Sequence, residues 1–308
     1  MNANGVPAST SKPRDSENLD ELGREQQVRG GFKYFWKTFS KNRLAVIGLA
    51  VLAALILVAV FAPVIAQADP ERIVLGNRFA GPSMDHFLGT DETGRDVFAR
   101  LIYGSRISLT VALVATLISI VVGSSVGAIG GFAGGITDSI LMRIVDGMLA
   151  IPTFFLALLI LALFGPSLRN VILVIGFTAW MVVARVVRSE VLRAKNEEYV
   201  NAAKSIGASP VRILLRHVMP QAFPSMIVAS TLGIAYAVIV ESSLSFLGLG
   251  VVPPTPTWGN MLSGAQAYIW NRPDMAVYPG LMILFCVLAF NMVGDALRDT
   301  LDPREVGN

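Results

Sequence analysis

The sequence predicts an all-α polytopic membrane protein with six transmembrane helices. Three observations carry that expectation. Of 308 residues, 53% are hydrophobic and only 15% charged, with a mean hydropathy of +0.59, whereas soluble domains carry about 25% charged residues. The apolar residues are gathered into stretches near twenty residues long, the length that crosses a hydrocarbon core of ~30 Å. Lys and Arg crowd into alternate connections between those stretches, which is the sign of a defined orientation in the bilayer.

Residues 1–30 are polar, rich in Ser, Asn, Glu and Arg, and hold no apolar run. They read as a disordered cytoplasmic tail and not as a secretory signal peptide. In residues 31–43, Phe32, Phe35, Trp36 and Phe39 recur at one-face helical spacing among Lys33, Lys37, Lys41 and Arg43. An aromatic face set in basic residues suits a helix lying among lipid headgroups; the alternative is a charged extension of the first span. Residues 44–66 follow without one charged or hydrogen-bonding side chain. Their Leu, Ile, Val and Phe residues favour insertion by roughly 4–8 kcal/mol as an upper bound.

Residues 67–106 form a polar extramembrane segment with Asp69-Pro70, Gly81-Pro82 and Asp91-Glu92. Five further apolar stretches then occupy 107–131, 140–164, 171–187, 222–247 and 276–297. Six spans put both termini on one side, and charge selects which. Eight Lys and Arg precede the first span and seven lie from Arg185 to Arg216, whereas the third and fifth connections hold only Arg169 and Arg272. The N-terminus, the Arg185–Arg216 connection and the C-terminal tail at 298–308 are therefore expected in the cytoplasm. Five arginines in the 67–106 segment dissent, but six acidic residues accompany them and long loops obey the bias weakly.

Gly123, Gly127, Gly131 and Gly135 are spaced four apart along the second span. Such a ridge lets another helix approach closely. That role is expected of Gly123 and Gly127, with Gly131 and Gly135 in a loose loop.

The connection between the fourth and fifth spans, residues 197–220, reads EEYVNAAKSIGASPVRILLRHVMP. A short helix over 197–206 would end at Gly207, a residue suited to a left-handed turn. Ser209 and Pro210 resemble the N-cap and first position of a second helix, which Pro220 would stop or bend into the membrane. The expected result is a helix–turn–helix lying across the cytoplasmic face. Small Ala202 and Ala203 would admit another protein's surface, with Lys204, Arg212 and Arg216 supplying charge around it. The alternative is an ordinary basic loop.

The spacing of Ala202-Ala203, Gly207 and Pro220 resembles the EAA loop of binding-protein-dependent ABC importer permeases. The sequence departs from that pattern at Asn201, where an acidic residue is usual, and at His217 and Met219, which replace aliphatic residues. Leu88–Asp96 (LGTDETGRD) with Arg100 and Gly104-Ser105-Arg106 looks like the outer segment of the dipeptide, oligopeptide and nickel permeases. Ser243–Gly250 (SLSFLGLG), Pro253-Pro254-Thr255-Pro256, Trp258-Gly259, and the C-terminal Gly294-Asp295, Leu297-Arg298-Asp299 and Leu301-Asp302-Pro303 are similar to the same family. The resemblance spans roughly residues 31–305, and points to the second, shorter permease of the pair.

The resemblance implies a type I ABC importer permease fold, with a single span (31–66) ahead of a five-helix core (107–297). It implies a bacterial inner-membrane protein that forms a heterodimer with a second permease. Two ATPase subunits would bind ATP and Mg, gripping a coupling helix at Asn201, Ala202, Ala203, Lys204, Gly207, Arg212 and Pro220. An extracytoplasmic binding protein would deliver the peptide substrate.

Ionisable groups inside spans are candidates for function. Glu241, with Ser242 and Ser245 beside it, lies near the outer end of the fifth span. It either lines the pathway or its outer gate, or pairs with a neighbouring helix or the partner permease. Arg143 and Asp146, three apart, would form a same-face structural ion pair. Trp258, Tyr268 and Trp270 are expected as interfacial anchors. The single Cys286 excludes an intrachain disulfide and is expected in the core, and two isolated histidines leave no metal site. No phosphate-binding GxxxxGK[ST] loop, HExxH or GxSxG occurs, so nucleotide hydrolysis by that device and two common enzyme classes are excluded. An ion-coupled carrier would lack the Ala-Ala, Gly, Pro connection. A formal net charge of +3 is too small to argue for a nucleic-acid partner.

Overall fold

The structure, a computed structural model, describes residues 32–301. The expected tail over 1–30 and the last seven residues lie outside the described residues. Among the described residues regular structure is helical, and the one β contact is an isolated bridge between Thr90 and Asp96. Lipid offers no partner to backbone groups, so a spanning segment bonds within itself.

Helix α1 (Phe32–Lys41) leads into α2 (Arg43–Val60) through Asn42, whose side chain accepts from the N–H groups of Leu44 and Ala45. Of the aromatic face expected on α1, the side chains of Phe32 and Phe35 lie outside the described residues. Trp36 is exposed, while Phe39 turns inward into the main core. The first span is interrupted at Phe61, and a short α3 (Ala62–Ile65) follows with Pro63 in its first turn, where the missing N–H costs nothing.

Helix α4 (Val97–Ala133) begins ten residues earlier than the apolar pattern suggests, because Asp96 accepts from the Ala99 N–H and caps it. The expected third span is not one helix. It is α5 (Gly135–Leu149) and α6 (Thr153–Phe164), bent by 80°. Pro152 supplies no N–H and disfavours helical geometry at Ile151, so the chain breaks where hydropathy runs on.

Helix α7 (Leu168–Ala194) is capped by Ser167 and is followed by α8 (Glu198–Ser205). The next helix starts as α9 (Pro210–Ile213), widens through a π turn at Leu214–Val218, and continues as α10 (Met219–Phe246). Pro220 therefore neither stops the helix nor ends a separate segment. The π turn, closed by the Met219 N–H on Leu214 O, gives the proline ring room. Helices α11 (Trp258–Ala265) and α12 (Asp274–Leu301) complete the described residues. Among the described residues five helices are long and apolar enough to cross a membrane, or six when the bent pair counts as one span.

Helices α4 and α7 lie against each other through their smallest residues. A Cβ on Gly123 would stand 2.6 Å from Trp180 O, one on Gly127 2.4 Å from Ala184 O, and one on Gly131 3.0 Å from Val191. Gly131 thus belongs to the packed face and not to a loose loop, whereas Gly134 and Gly135 make the turn at φ +67° and +53°. The core is built from α2, α4, α6, α7, α10 and α12, including Leu52, Val111, Leu161, Ile175, Val238 and Ala289. Cys286 is buried within it, as expected.

Candidate functional site

At one end of the bundle, α8 ends in a compact turn. Gly207 has φ +83°, its N–H bonds Lys204 O at 3.0 Å, and the Ala208 N–H bonds Ala203 O at 3.1 Å. The carbonyls of Ala203 and Lys204 in the last helical turn are thereby satisfied, and glycine adopts the left-handed geometry without strain. Ser209 caps the following helix through the Arg212 N–H, with Pro210 in the first turn. The expected caps therefore stand where the sequence put them, but only α8 is a separate helix. Its partner is the continuation of α10.

The two alanines of this joint have opposite surroundings. Ala203, 6% exposed, packs with Val200 among Val187, Val191, Ala194, Ile213, Val218 and Ala222. Its side chain is not available to an outside partner, contrary to the sequence reading, because the helix phase turns it towards α7 and α10. Asn201, Ala202, Lys204, Gly207, Arg212 and Pro220 are exposed. Lys204 Nζ donates to Asn201 Oδ1 at 3.3 Å. Beside them Tyr199, Ile206, Val211 and Leu215 present an apolar surface, Ile206 at 86% exposure. The end of α8 is thus a shelf fixed to two spans from beneath and bare above.

At the opposite end, Glu241 is wholly buried. Ser245 Oγ donates to it at 2.8 Å, Ser108 Oγ at 3.2 Å and Ser242 Oγ at 3.4 Å. Ser108 also accepts from the Trp258 backbone N–H at 3.3 Å, and Trp258 Nε1 donates to Leu101 O. Glu241, Ser242 and Ser245 therefore tie α4, α10 and α11 together inside the chain and line no exposed surface. Trp258 corrects a second expectation: it is fully buried, while Trp270 is 94% exposed. Gly259 permits this seating, since a Cβ there would meet Ser242 Cα at 2.6 Å.

The LGTDETGRD segment forms a polar clasp at the same end. Asp91 accepts from the Arg95 and Thr93 N–H groups and from Arg95 Nε at 2.7 Å, with Arg100 Nε 3.5 Å away. Burial pushes the Asp91 carboxyl up, but the backbone and Thr93 hydrogen bonds and the Arg95 charge outweigh it and hold it below the usual range. Arg100 reaches Pro70 O and Pro254 O, and Arg272 reaches Phe79 O while pairing with Asp274. Gly94 is required here: at φ +79° its Cβ would fall 1.9 Å from Val74 O. Asp146 pairs with Arg185 of α7 and not with Arg143, and Asp138 pairs with Arg188. The sequence carried the candidates for these cross-helix pairs but no signal for who meets whom.

The family described as "Binding-protein-dependent transport system inner membrane component" matches residues 119–306, and "N-terminal TM domain of oligopeptide transport permease C" matches residues 32–82. The dipeptide transport system permease protein DppC of Alkalihalophilus pseudofirmus is 39% identical over 97% of both chains. The glutathione transport system permease protein GsiD of Shigella flexneri serotype 5b is 43% identical over 94% of this chain and 96% of its own. Among solved structures, an inward-facing conformation of the MetNI methionine ABC transporter aligns with a TM-score of 0.56 at 18% identity. It covers 67% of this chain and 97% of that one, a likeness of fold.

Proposed function

The chain belongs to the binding-protein-dependent transport system inner membrane components, and from that premise we propose that it is the second, shorter permease of an ATP-driven importer of di- or oligopeptides. It is a non-catalytic transport subunit of the inner membrane. Support for peptide as cargo comes from relatives named for a dipeptide and for glutathione, itself a tripeptide. In this reading a second permease completes the pathway as a heterodimer, two ATPase subunits bind ATP and Mg, and a binding protein delivers substrate. The Gly207 end and both termini face the cytoplasm, in agreement with the bias of Lys and Arg.

One observation carries the mechanism. The exposed surface of Tyr199, Ala202, Ile206, Val211 and Leu215 is carried by α8 and the start of the helix that follows it, whose buried sides pack with α7 and α10. An ATPase that binds this surface moves both spans at once, because a close-packed joint transmits displacement. Ala203 contributes from below by seating the helix. Lys204 and Arg212 offer cations to the ATPase, and Gly207 gives the turn its shape.

The test is ATP-driven peptide uptake by the complete importer in proteoliposomes. Ile206→Asp places a charge on the exposed surface and is expected to abolish most uptake while the chain still inserts and folds. Uptake at the unaltered level would remove the coupling assignment.

A further inference from the structure

A cleft of about 630 Å³ lies between the end of the first span, the start of α4 and the loop ahead of α11. Asp69 and Glu71 line it from the first span's side and Arg106 from α4, with Thr110 and Thr255 also in the lining. All three charged residues are exposed, and none makes an ion pair among the described residues. Asp69 accepts from the Glu71 backbone N–H, Glu71 accepts from Thr255 Oγ1 at 3.2 Å, and Arg106 lies over the Tyr103 ring. Arg100, which touches the same segment through Pro70 O, is already held by Asp91.

Two boundaries between apolar and polar chain meet at this cleft. On the first span the apolar stretch ends at Ala66 and polarity begins at Gln67; on α4 no charge follows Arg106 until Asp138. Ala62 and Ala66 pack with Ala99 and Ile102, so the boundaries lie side by side within about one helical turn. Just inside them Val60, Phe61 and Val64 on one element, and Leu113 and Leu117 on the other, are exposed apolar side chains. The cleft therefore stands at headgroup depth, where hydrocarbon gives way to water. Arg106, Thr110, Leu113, Leu117 and Val121 recur at i, i+4, i+7, i+11 and i+15, one exposed face of α4. That face runs from a free guanidinium through a hydroxyl to bare hydrocarbon. A phospholipid has the same order, from phosphate through ester to acyl chain.

We propose that the cleft seats a zwitterionic phospholipid headgroup with a primary ammonium, its phosphate on Arg106 and its ammonium on Asp69 and Glu71. A guanidinium fork matches phosphate oxygens, and an ammonium supplies three N–H donors for the two carboxylates. Bound there, the lipid joins the first span to α4 and compensates three charges that find no partner within the chain. The inference goes beyond the importer reading and does not depend on the cargo. A free dipeptide also carries an ammonium and an anion on a short linker, and the test separates the two sources.

The purified importer complex is equilibrated with equal amounts of phosphatidylethanolamine, phosphatidylcholine and phosphatidylglycerol, and retained lipid is counted by native mass spectrometry. Phosphatidylethanolamine is expected to be retained about two- to fivefold over the others, since phosphatidylcholine has no N–H to donate and phosphatidylglycerol has no ammonium. Arg106→Gln, and separately the pair Asp69→Asn with Glu71→Gln, should each lower the count of phosphatidylethanolamine by one per complex and leave the other lipids unchanged. Equal retention of the three lipids, or an unchanged count in either variant, would overturn the proposal. Loss of the bound lipid on adding dialanine would assign the cleft to a soluble zwitterion and overturn it as well; retention against dialanine supports the lipid.

Discussion

Glu241 is a carboxyl group inside an apolar bundle, surrounded by the hydroxyls of Ser108, Ser242 and Ser245. Glu241→Ala would strand those hydroxyls and loosen Trp258, which hangs from Ser108. The expected loss is about 2–3 kcal/mol, read as a lower melting temperature in detergent, whereas Glu241→Gln keeps an acceptor and loses less. Equal melting of the alanine variant and wild type would deny the knot its role. Asp91 makes a pH prediction. Its folded pKa lies below its unfolded one, so its contribution is complete above the ordinary carboxylate pKa of about 4. That contribution fades as pH falls from there through the lower folded value. Acidification should therefore lower the melting temperature over that window, and Asp91→Asn should flatten the dependence.

Helix contacts decide the next scale. At Gly127 the obstacle to a side chain is the Ala184 backbone carbonyl, 2.4 Å from the position of a Cβ. Backbone cannot swing aside, so Gly127→Val should part α4 from α7 and cost about 1–3 kcal/mol or more, measured by thermal melting of the purified subunit. The joint at Gly207 separates folding from coupling. Ala203→Leu crowds the cluster beneath α8 and should lower stability, whereas Ile206→Asp alters only the bare surface and should leave melting unchanged. The capping residues of this joint were legible beforehand because Ser209, Pro210 and Gly207 act on their immediate neighbours. The orientation of Ala202 against Ala203 was not, since it depends on where α7 and α10 stand. The bend at Pro152 was missed for a related reason. Hydropathy alone ran the span through a residue whose missing N–H breaks it.

For the molecule as a whole, the two ends of the bundle differ in kind. One gathers the polar clasp of Asp91, Arg95 and Arg100 together with α11; the other carries α1, α8 and the described ends of the chain. Membrane-impermeant maleimide on intact cells stripped of the outer barrier should label Met84→Cys, 88% exposed at the first end. It should not label Ile206→Cys until the inner membrane is opened. Reversed labelling would invert the proposed orientation and with it the docking of an ATPase.

By itself the sequence determined that the protein lives in lipid, how many apolar stretches it has, how the joint at Gly207, Ser209 and Pro210 is capped and which family it resembles. Those properties are sums over neighbouring residues: transfer free energies along a stretch, and hydrogen bonds that reach three or four positions. The tertiary structure alone decided that Trp258 and Glu241 are interior, that Asp146 meets Arg185, that Gly131 packs, and that Ala203 faces inward. Each of these turns on distances between elements remote in the chain, which no local pattern encodes.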